Sequence, residues 1–186
     1  MTKLKLFLDL DGVFVDFHSG MKDMLNMTYP KERMADTDFK KFQELMGFKI
    51  WSRKFFWQDL KELPNCQEMY AYFAKYNPDV LTAFPDSYTI NSVEALTTEA
   101  EKTMWVRQHF SKLQATRLFC TKAKLKQLHV SSEPDVVSVL IDDRPSNINE
   151  WIAAGGIGIL HTSMDDTINQ FENLFANVDF YINPIL

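Results

Sequence analysis

Two closely spaced pairs of aspartates are the residues of this sequence whose types and spacing suggest chemistry. Asp9 and Asp11 follow the apolar run KLKLFL, and Asp142 and Asp143 follow VVSVLI directly. Side chains at positions i and i+2 of a strand point to the same side, so Asp9 and Asp11 can share one site. Gly12 permits a tight turn after the first pair. Clustered carboxylates repel one another unless a cation or proton compensates them, and a hard, oxygen-seeking ion such as Mg²⁺ suits such a cluster.

A single aspartate at the end of a strand is more often a turn former or a helix cap than a catalytic group. Two acidic pairs that follow two apolar runs favour a shared site instead. In open α/β sheets, ligands bind beyond the carboxyl ends of the strands, where both pairs are expected to lie.

Other polar residues follow two further predicted strands. Thr82 closes the second one, where a hydroxyl followed by backbone amides can hold a phosphate oxygen, although a lone threonine there is usually an ordinary strand-end residue. Lys122, Lys124 and Lys126 follow RLFC. A single lysine is most often a solvated surface charge. A lysine near several carboxylates and a phosphate would offset their repulsion and orient a nucleophile.

The sheet that must hold these residues is indicated by near-continuous apolar runs, which are typical of parallel strands covered on both faces. Strands that alternate with helices predict an α/β fold with a doubly wound parallel sheet. The predicted strands are Lys3–Leu10, Asp79–Thr82, Arg117–Cys120, Val136–Ile141 and Gly158–Leu160, and the predicted helices are Glu99–Leu113 and Ile148–Ala154.

Residues 16–77 interrupt this alternation. The segment lacks a convincing strand, is rich in aromatic residues and shows helical spacing at Phe42, Leu45 and Met46. Pro64 marks the start of a helix that leads back to the sheet. The prediction is therefore an α/β core made of residues 1–15 and 78–186, with a helical insert at 16–77.

Composition narrows the class of protein. With 186 residues, 46% hydrophobic and 24% charged, the chain is expected to form a globular protein with a sizeable core. The net charge of −5 argues against a nucleic-acid partner. Two cysteines are too few for a disulfide scaffold and indicate a reducing, cytoplasmic location. Neither a signal-peptide core nor an apolar run long enough to span a bilayer is present, so no membrane partner is expected.

The order of these motifs resembles that of the haloacid dehalogenase superfamily, with DxDG after the first strand, then Thr, then Lys, then DD. The resemblance extends over most of the chain to the 5′(3′)-deoxyribonucleotidase group. The segments that carry it are DLDGVFVDF at 9–17, FFW at 55–57, LP at 63–64, Lys102 with Trp105-Val106, and LIDDRP at 140–145. This resemblance implies a Rossmann-like sheet with a small helical cap of the C1 type, inserted after the first strand and lying over the active site.

Carried over position by position, the resemblance implies that Asp9 is the nucleophile and Asp11 the general acid and base. Thr82 would hold the phosphate. Asp142 and Asp143 would complete a Mg²⁺ site together with the first pair.

The lysine of the family is harder to transfer. Alignment of its Thr-Arg-x-Lys run on residues 121–124 selects Lys124 and puts Lys122 at the arginine. The segment from there to the second acidic pair is longer here than in the animal enzymes, which leaves Lys122 and Lys126 open. Ala83 stands where those enzymes carry a serine, so one side-chain contact to phosphate is lost.

The implied function is Mg²⁺-dependent hydrolysis of a small phosphate ester through an aspartyl-phosphate, with a nucleoside or deoxynucleoside monophosphate as substrate. Phe17 lies close to the nucleophile and, with the FFW segment at 55–57, is a candidate for stacking on a base, while packing in the core of the insert is the alternative for each aromatic. Relatives with such a cap often dimerise, so a homodimer is compatible with the resemblance.

Two other functions stay open at this point. A phosphatase for another small ester or for a polynucleotide 3′-phosphate would share the motifs and differ in the cap. A non-enzymatic phospho-acceptor domain of the receiver type also uses acidic residues, Thr and Lys around Mg²⁺. In receivers the acidic pair comes first and the phosphorylated aspartate stands alone after a middle strand. In this chain DxD comes first, DD comes last and a large insert intervenes, an order that argues against a receiver.

Overall fold

The computed structural model describes residues 2–25, 36–110, 117–176 and 180–181. The strands are β1 (Thr2–Leu8), β2 (Asp79–Ala83), β3 (Leu118–Thr121), β4 (Val136–Asp142), β5 (Ile157–Leu160) and β6 (Phe180–Tyr181). The helices are α1 (Phe17–Leu25), α2 (Asp36–Ser52), α3 (Cys66–Ala74), α4 (Val93–His109), α5 (Pro145–Ala153), α6 (Met164–Phe175) and a 3₁₀ helix over Ala123–His129.

The predicted doubly wound parallel sheet is confirmed. Its strands lie in the order β3-β2-β1-β4-β5, all parallel, and β6 pairs with the start of β1. The chain adds β2 on one side of β1 and later β4 on the other, so the direction of winding reverses at β1. Such a reversal opens a crevice at the carboxyl ends of the strands.

Both faces of the central strands are buried, which explains their unbroken apolar sequence. Leu8 and Ile141 point into a core shared with the helices that follow β1, whereas Phe7 and Leu140 point to the opposite face and pack with Trp151 of α5. Alternate residues of one strand therefore serve two apolar layers.

Helix boundaries differ from the sequence prediction where capping residues set them. Helix α4 begins six residues before the predicted start, because Ser92 caps it by accepting from the N–H of Ala95 at 3.3 Å. Helix α5 begins at Pro145, a residue suited to the first turn of a helix. The predicted end of α4 at Leu113 lies outside the described residues.

The segment between β1 and β2 leaves and rejoins the core at one pair of adjacent backbone stretches. Asp16 N–H donates to Lys61 O at 2.9 Å, and Leu63 N–H donates to Phe14 O at 2.8 Å. Helices α1 and α2 lie between these stretches, whereas α3 follows them and packs on α6, with the rings of Phe73 and Phe171 5.1 Å apart. In the described part of the chain, no helix is long and apolar enough to cross a bilayer.

Candidate active site

The ends of β1 and β4 bring the two acidic pairs together. The strands are neighbours in register, and the N–H of Asp9 continues their ladder by donating to Ile141 O at 2.9 Å. Asp9, Asp142 and Asp143 each offer a carboxylate oxygen within 4.8 Å of the other two. This close group contains three of the four aspartates expected to share an ion, and Asp11 is not among them.

The turn after β1 explains why a glycine separates the first acidic pair from the rest of the loop. Gly12 has a φ of +79°, a conformation that residues with a side chain rarely adopt. A Cβ atom on Gly12 would lie 2.2 Å from Oδ2 of Asp143. The second acidic pair therefore packs directly on the turn that follows the first pair.

Within the second pair, the carboxylate of Asp142 is saturated by donors. Its Oδ1 accepts from the N–H of Arg144 at 2.9 Å and from Nδ2 of Asn147 at 3.0 Å. Its Oδ2 accepts from Nζ of Lys126 at 2.6 Å and from the same Asn147 amide at 2.9 Å. By contrast, Oδ1 of Asp143 and Oδ1 of Asp11 are buried without a hydrogen-bond partner among the described residues. Asp142 therefore holds other groups in place, while Asp143 and Asp11 each retain an oxygen for a ligand.

Lys126 is the lysine that reaches the acidic cluster. Its ammonium lies 2.8 Å from Oδ1 of Asp9 and bridges this residue to Asp142, and its side chain is 2% exposed. Burial acts to lower the pKa of Lys126, but the charges of the two carboxylates and their hydrogen bonds raise it above its ordinary value. The bridge thus joins the nucleophile candidate that follows β1 to the end of β4.

Of the three lysines that the sequence leaves open, the structure brings Lys126 to the acidic cluster, and not Lys124, which motif spacing selects, or Lys122. Residues three apart share a face of a 3₁₀ helix, and the buried residues of this one are Ala123 and Lys126. Lys124 is exposed, and Lys122 donates to the carbonyl of Asp86 at 3.1 Å. An alignment by motif spacing could not detect which face of a short helix turns inward.

A second buried lysine, Lys102 of α4, was not recognised as a site residue from the sequence. Its Nζ donates to Oδ2 of Asp11 at 2.5 Å, to Oγ1 of Thr82 at 2.9 Å and to the carbonyl of Ala83 at 2.8 Å. The ring centroid of Trp57 lies 4.0 Å from the same ammonium. One signal was available, because a charged residue interrupts the buried stripe of α4 one turn before Trp105.

Charge in this site is not balanced by the protein alone. Four carboxylates face two ammonium groups, which leaves an excess of two negative charges when all are ionised. Burial raises the pKa of Asp9 to about 8. The charge of Lys126 acts to lower this pKa, and the charges of the other three aspartates raise it further. Burial, with the charges of Asp142 and Asp11, also raises the pKa of Asp143 to about 6. A divalent, oxygen-preferring cation would relieve both effects, and the unpartnered oxygen of Asp143 suits one.

Two aromatic residues of the segment after β1 stack beside Lys102, and one of them, Trp57, is buried at 4% exposure. The rings of Phe17 and Trp57 are stacked at 5.4 Å with planes 7° apart, and Trp57 also covers the ammonium of Lys102. Of the neighbouring aromatics, Phe56 is buried in the core and Phe55 is 55% exposed. The indole N–H of Trp57 is buried and has no hydrogen-bond partner among the described residues.

The sequence of the chain matches the profile of a known protein family over most of its length. The sequence profile of the family described as 5′ nucleotidase, deoxy (pyrimidine), cytosolic type C protein matches residues 3–178. No curated protein matches the chain significantly in sequence.

Several solved structures align with the chain over most of its length. A haloacid dehalogenase-like family hydrolase from Streptococcus pneumoniae aligns with a TM-score of 0.50 at 10% identity, covering 96% of this chain and 92% of its own. A second hydrolase from Streptococcus pneumoniae TIGR4 aligns at 0.45 and 13% identity, covering 94% and 100%. D,D-heptose 1,7-bisphosphate phosphatase from Burkholderia thailandensis aligns at 0.42 and 13% identity, covering 91% and 98%.

Replacing Lys126 by Met should lower the free energy of unfolding by about 3 kcal/mol, because removal of one partner of a buried ion pair leaves the other charge uncompensated. The matched change Lys124→Met, on the exposed side of the same helix, should cost less than about 0.5 kcal/mol. Urea unfolding of both variants checks this, and equal midpoints would contradict the burial assigned to Lys126.

Proposed function

The chain belongs to the family of 5′ nucleotidases, deoxy (pyrimidine), cytosolic type C, and we propose that this phosphatase hydrolyses a nucleoside or deoxynucleoside monophosphate through a phosphorylated Asp9, with Mg²⁺ as cofactor. The observation that carries the proposal is the ion pair of Asp9 with buried Lys126, next to the unpartnered oxygens of Asp11 and Asp143. A nucleophile, a cation that orients it, a proton carrier and a metal ligand thus lie at one sheet edge.

Asp9 and Asp143 would hold the Mg²⁺ ion, since their oxygens belong to the close group and Asp142 is occupied by hydrogen bonds. The bound ion would neutralise charge between the attacking carboxylate and the phosphoryl oxygens. Asp142 would act through Lys126, which it holds beside Asp9.

The reaction proposed for these residues has two steps. In the first, a carboxylate oxygen of Asp9 bonds to phosphorus, the ester P–O bond breaks, and Asp11 gives its proton to the leaving alcohol oxygen. In the second, Asp11 takes a proton from water, whose oxygen displaces Asp9 and releases inorganic phosphate. Lys102 holds Oδ2 of Asp11 and leaves Oδ1 as the oxygen that exchanges the proton.

Thr82 is proposed to bind the phosphate. Its hydroxyl oxygen accepts a hydrogen bond from Lys102, so the hydroxyl proton stays available for a phosphate oxygen. With Ala83 next to it, no second hydroxyl contributes at this strand end. The proposed phosphate site therefore depends on one hydroxyl, the ammonium of Lys126 and the metal.

Substrate selectivity is proposed to come from one part of the insert. This part begins and ends where the backbone near residues 14–16 is hydrogen-bonded to that near residues 61–63. On this basis the cover over the site comprises residues 16–62, and α3, which packs on α6, belongs to the α/β core. Phe17 is partly exposed and stacks on the buried ring of Trp57, so the aromatic surface proposed to meet a base is that of Phe17. Such a surface suits a nucleobase better than an aliphatic ester.

A reducing compartment, the cytoplasm, is proposed as the location. Cys66 and Cys120 are both free thiols. Burial raises the pKa of each thiol to about 12, which keeps both in the unreactive protonated form.

Phosphate release from dUMP, dTMP, AMP and glycerol 2-phosphate tests the substrate and the metal together. We expect release with Mg²⁺, no release with EDTA, a preference for nucleotides, and loss of nearly all turnover in Asp9→Asn, because an amide does not attack phosphorus. Activity of Asp9→Asn equal to that of the wild type would rule out its role as nucleophile. A preference for glycerol 2-phosphate would instead reject the nucleotide substrate.

Asp11→Asn should lower kcat by about 10²–10⁴, the usual contribution of proton transfer by a positioned group. The loss should be smaller for 4-nitrophenyl phosphate in single-turnover experiments, since this leaving group needs no proton. An equal loss for both esters would contradict general acid catalysis by Asp11.

Asp143→Asn should raise the Mg²⁺ concentration for half-maximal activity by about tenfold or more, because one anionic ligand is lost from the proposed ion site. Asp135→Asn, which changes an exposed aspartate before β4, is the control and should leave the Mg²⁺ dependence unchanged. Unaltered Mg²⁺ dependence in Asp143→Asn would exclude this residue as a ligand.

A further inference from the structure

Glu101, the residue before Lys102 on α4, binds the backbone of the aromatic segment after α2. Its Oε1 accepts from the N–H of Phe55 at 3.0 Å, and its Oε2 accepts from the N–H of Trp57 at 3.0 Å. Both oxygens of this one carboxylate on α4 thus accept hydrogen bonds from a single turn of the insert. Hydrogen bonds to an ionised acceptor are about twice as strong as those between neutral groups.

The turn that Glu101 holds is one that the local sequence does not favour. Phe55 has a φ of 61°, a left-handed conformation that is unusual for an aromatic residue, and its side chain is 55% exposed. A conformation of this kind persists only where surrounding contacts impose it. The two hydrogen bonds from Glu101 are such contacts.

The conformation of this turn determines where the ring of Trp57 lies. From its held backbone, the ring reaches over the ammonium of Lys102 at 4.0 Å and stacks on Phe17. Lys102 itself is fixed independently, through its three hydrogen bonds to Asp11, Thr82 and Ala83. Loss of Glu101 would therefore release the aromatic pair and leave the reacting carboxylates in place.

We propose that Glu101 is a positioning residue that holds the Phe17–Trp57 pair against the catalytic site and so sets the preference for substrates with a nucleobase. This inference rests on the proposed function, because it assigns the aromatic pair to substrate recognition. Burial raises the pKa of Glu101, and its hydrogen bonds to the two backbone N–H groups offset this effect only in part.

The test compares Glu101→Gln with Glu94→Gln, which makes the same chemical change two turns earlier on α4. The side-chain amide introduced by Glu101→Gln keeps one acceptor and turns a donor toward the second N–H, so one of the two hydrogen bonds is lost. We expect kcat/KM for dUMP to fall about tenfold, mainly through KM, while glycerol 2-phosphate changes less than about threefold. Glu94→Gln should leave both substrates unchanged.

Amide hydrogen exchange measured by NMR gives a readout that does not depend on the substrate. In Glu101→Gln, the amides of Phe55 and Trp57 should exchange about tenfold faster, and those of β1 should not change. Equal losses for dUMP and glycerol 2-phosphate, or unchanged exchange at both amides, would overturn the proposal. If the wild type hydrolyses no nucleotide, the proposed substrate and the selectivity role both fail, whereas faster exchange would still identify Glu101 as the residue that holds the turn.

Discussion

The ion pairs of Lys126 with Asp9 and Asp142 are the interaction on which the rest of the site depends. Parallel strands bring their carboxyl ends together, so aspartates at the ends of β1 and β4 must lie close and repel. One buried ammonium bridges the two strand ends and reduces that repulsion. The negative charge that remains is suited to a divalent cation and to the chemistry of a phosphate ester.

The two carboxylates of each acidic pair differ in the hydrogen bonds and ion pairs that they make. Asp142 is held by Asn147, Lys126 and a backbone N–H, whereas Asp143 keeps a buried oxygen without a hydrogen-bond partner among the described residues. In the first pair, Asp9 is bound to Lys126, and Asp11 has one oxygen held by Lys102 and one unpartnered in the same part of the chain. Aspartates that lie close together in the sequence thus have different hydrogen-bond environments in the fold.

Helix α4 connects the candidate active site to the insert. Lys102 contacts the ends of β1 and β2, Glu101 holds the turn that carries Trp57, and Trp105 donates to the carbonyl of Leu60 at 2.8 Å. Three residues within little more than one turn of helix therefore hold both the ends of β1 and β2 and the turn that carries Trp57. If the insert moved relative to the sheet, these contacts would have to break or α4 would have to move as well.

Local sequence determined the strands, the two acidic pairs and their common edge, because apolar runs and i, i+2 spacing are properties of neighbouring residues. The same sequence could not identify Lys126 over Lys124, since only the 3₁₀ conformation and its packing decide which face is buried. The contacts of Lys102 and Glu101 are also visible only in the tertiary structure. Their partners lie far away along the chain, at Asp11 and at Phe55 and Trp57, and pairing at such separations is decided by how helices pack on the sheet.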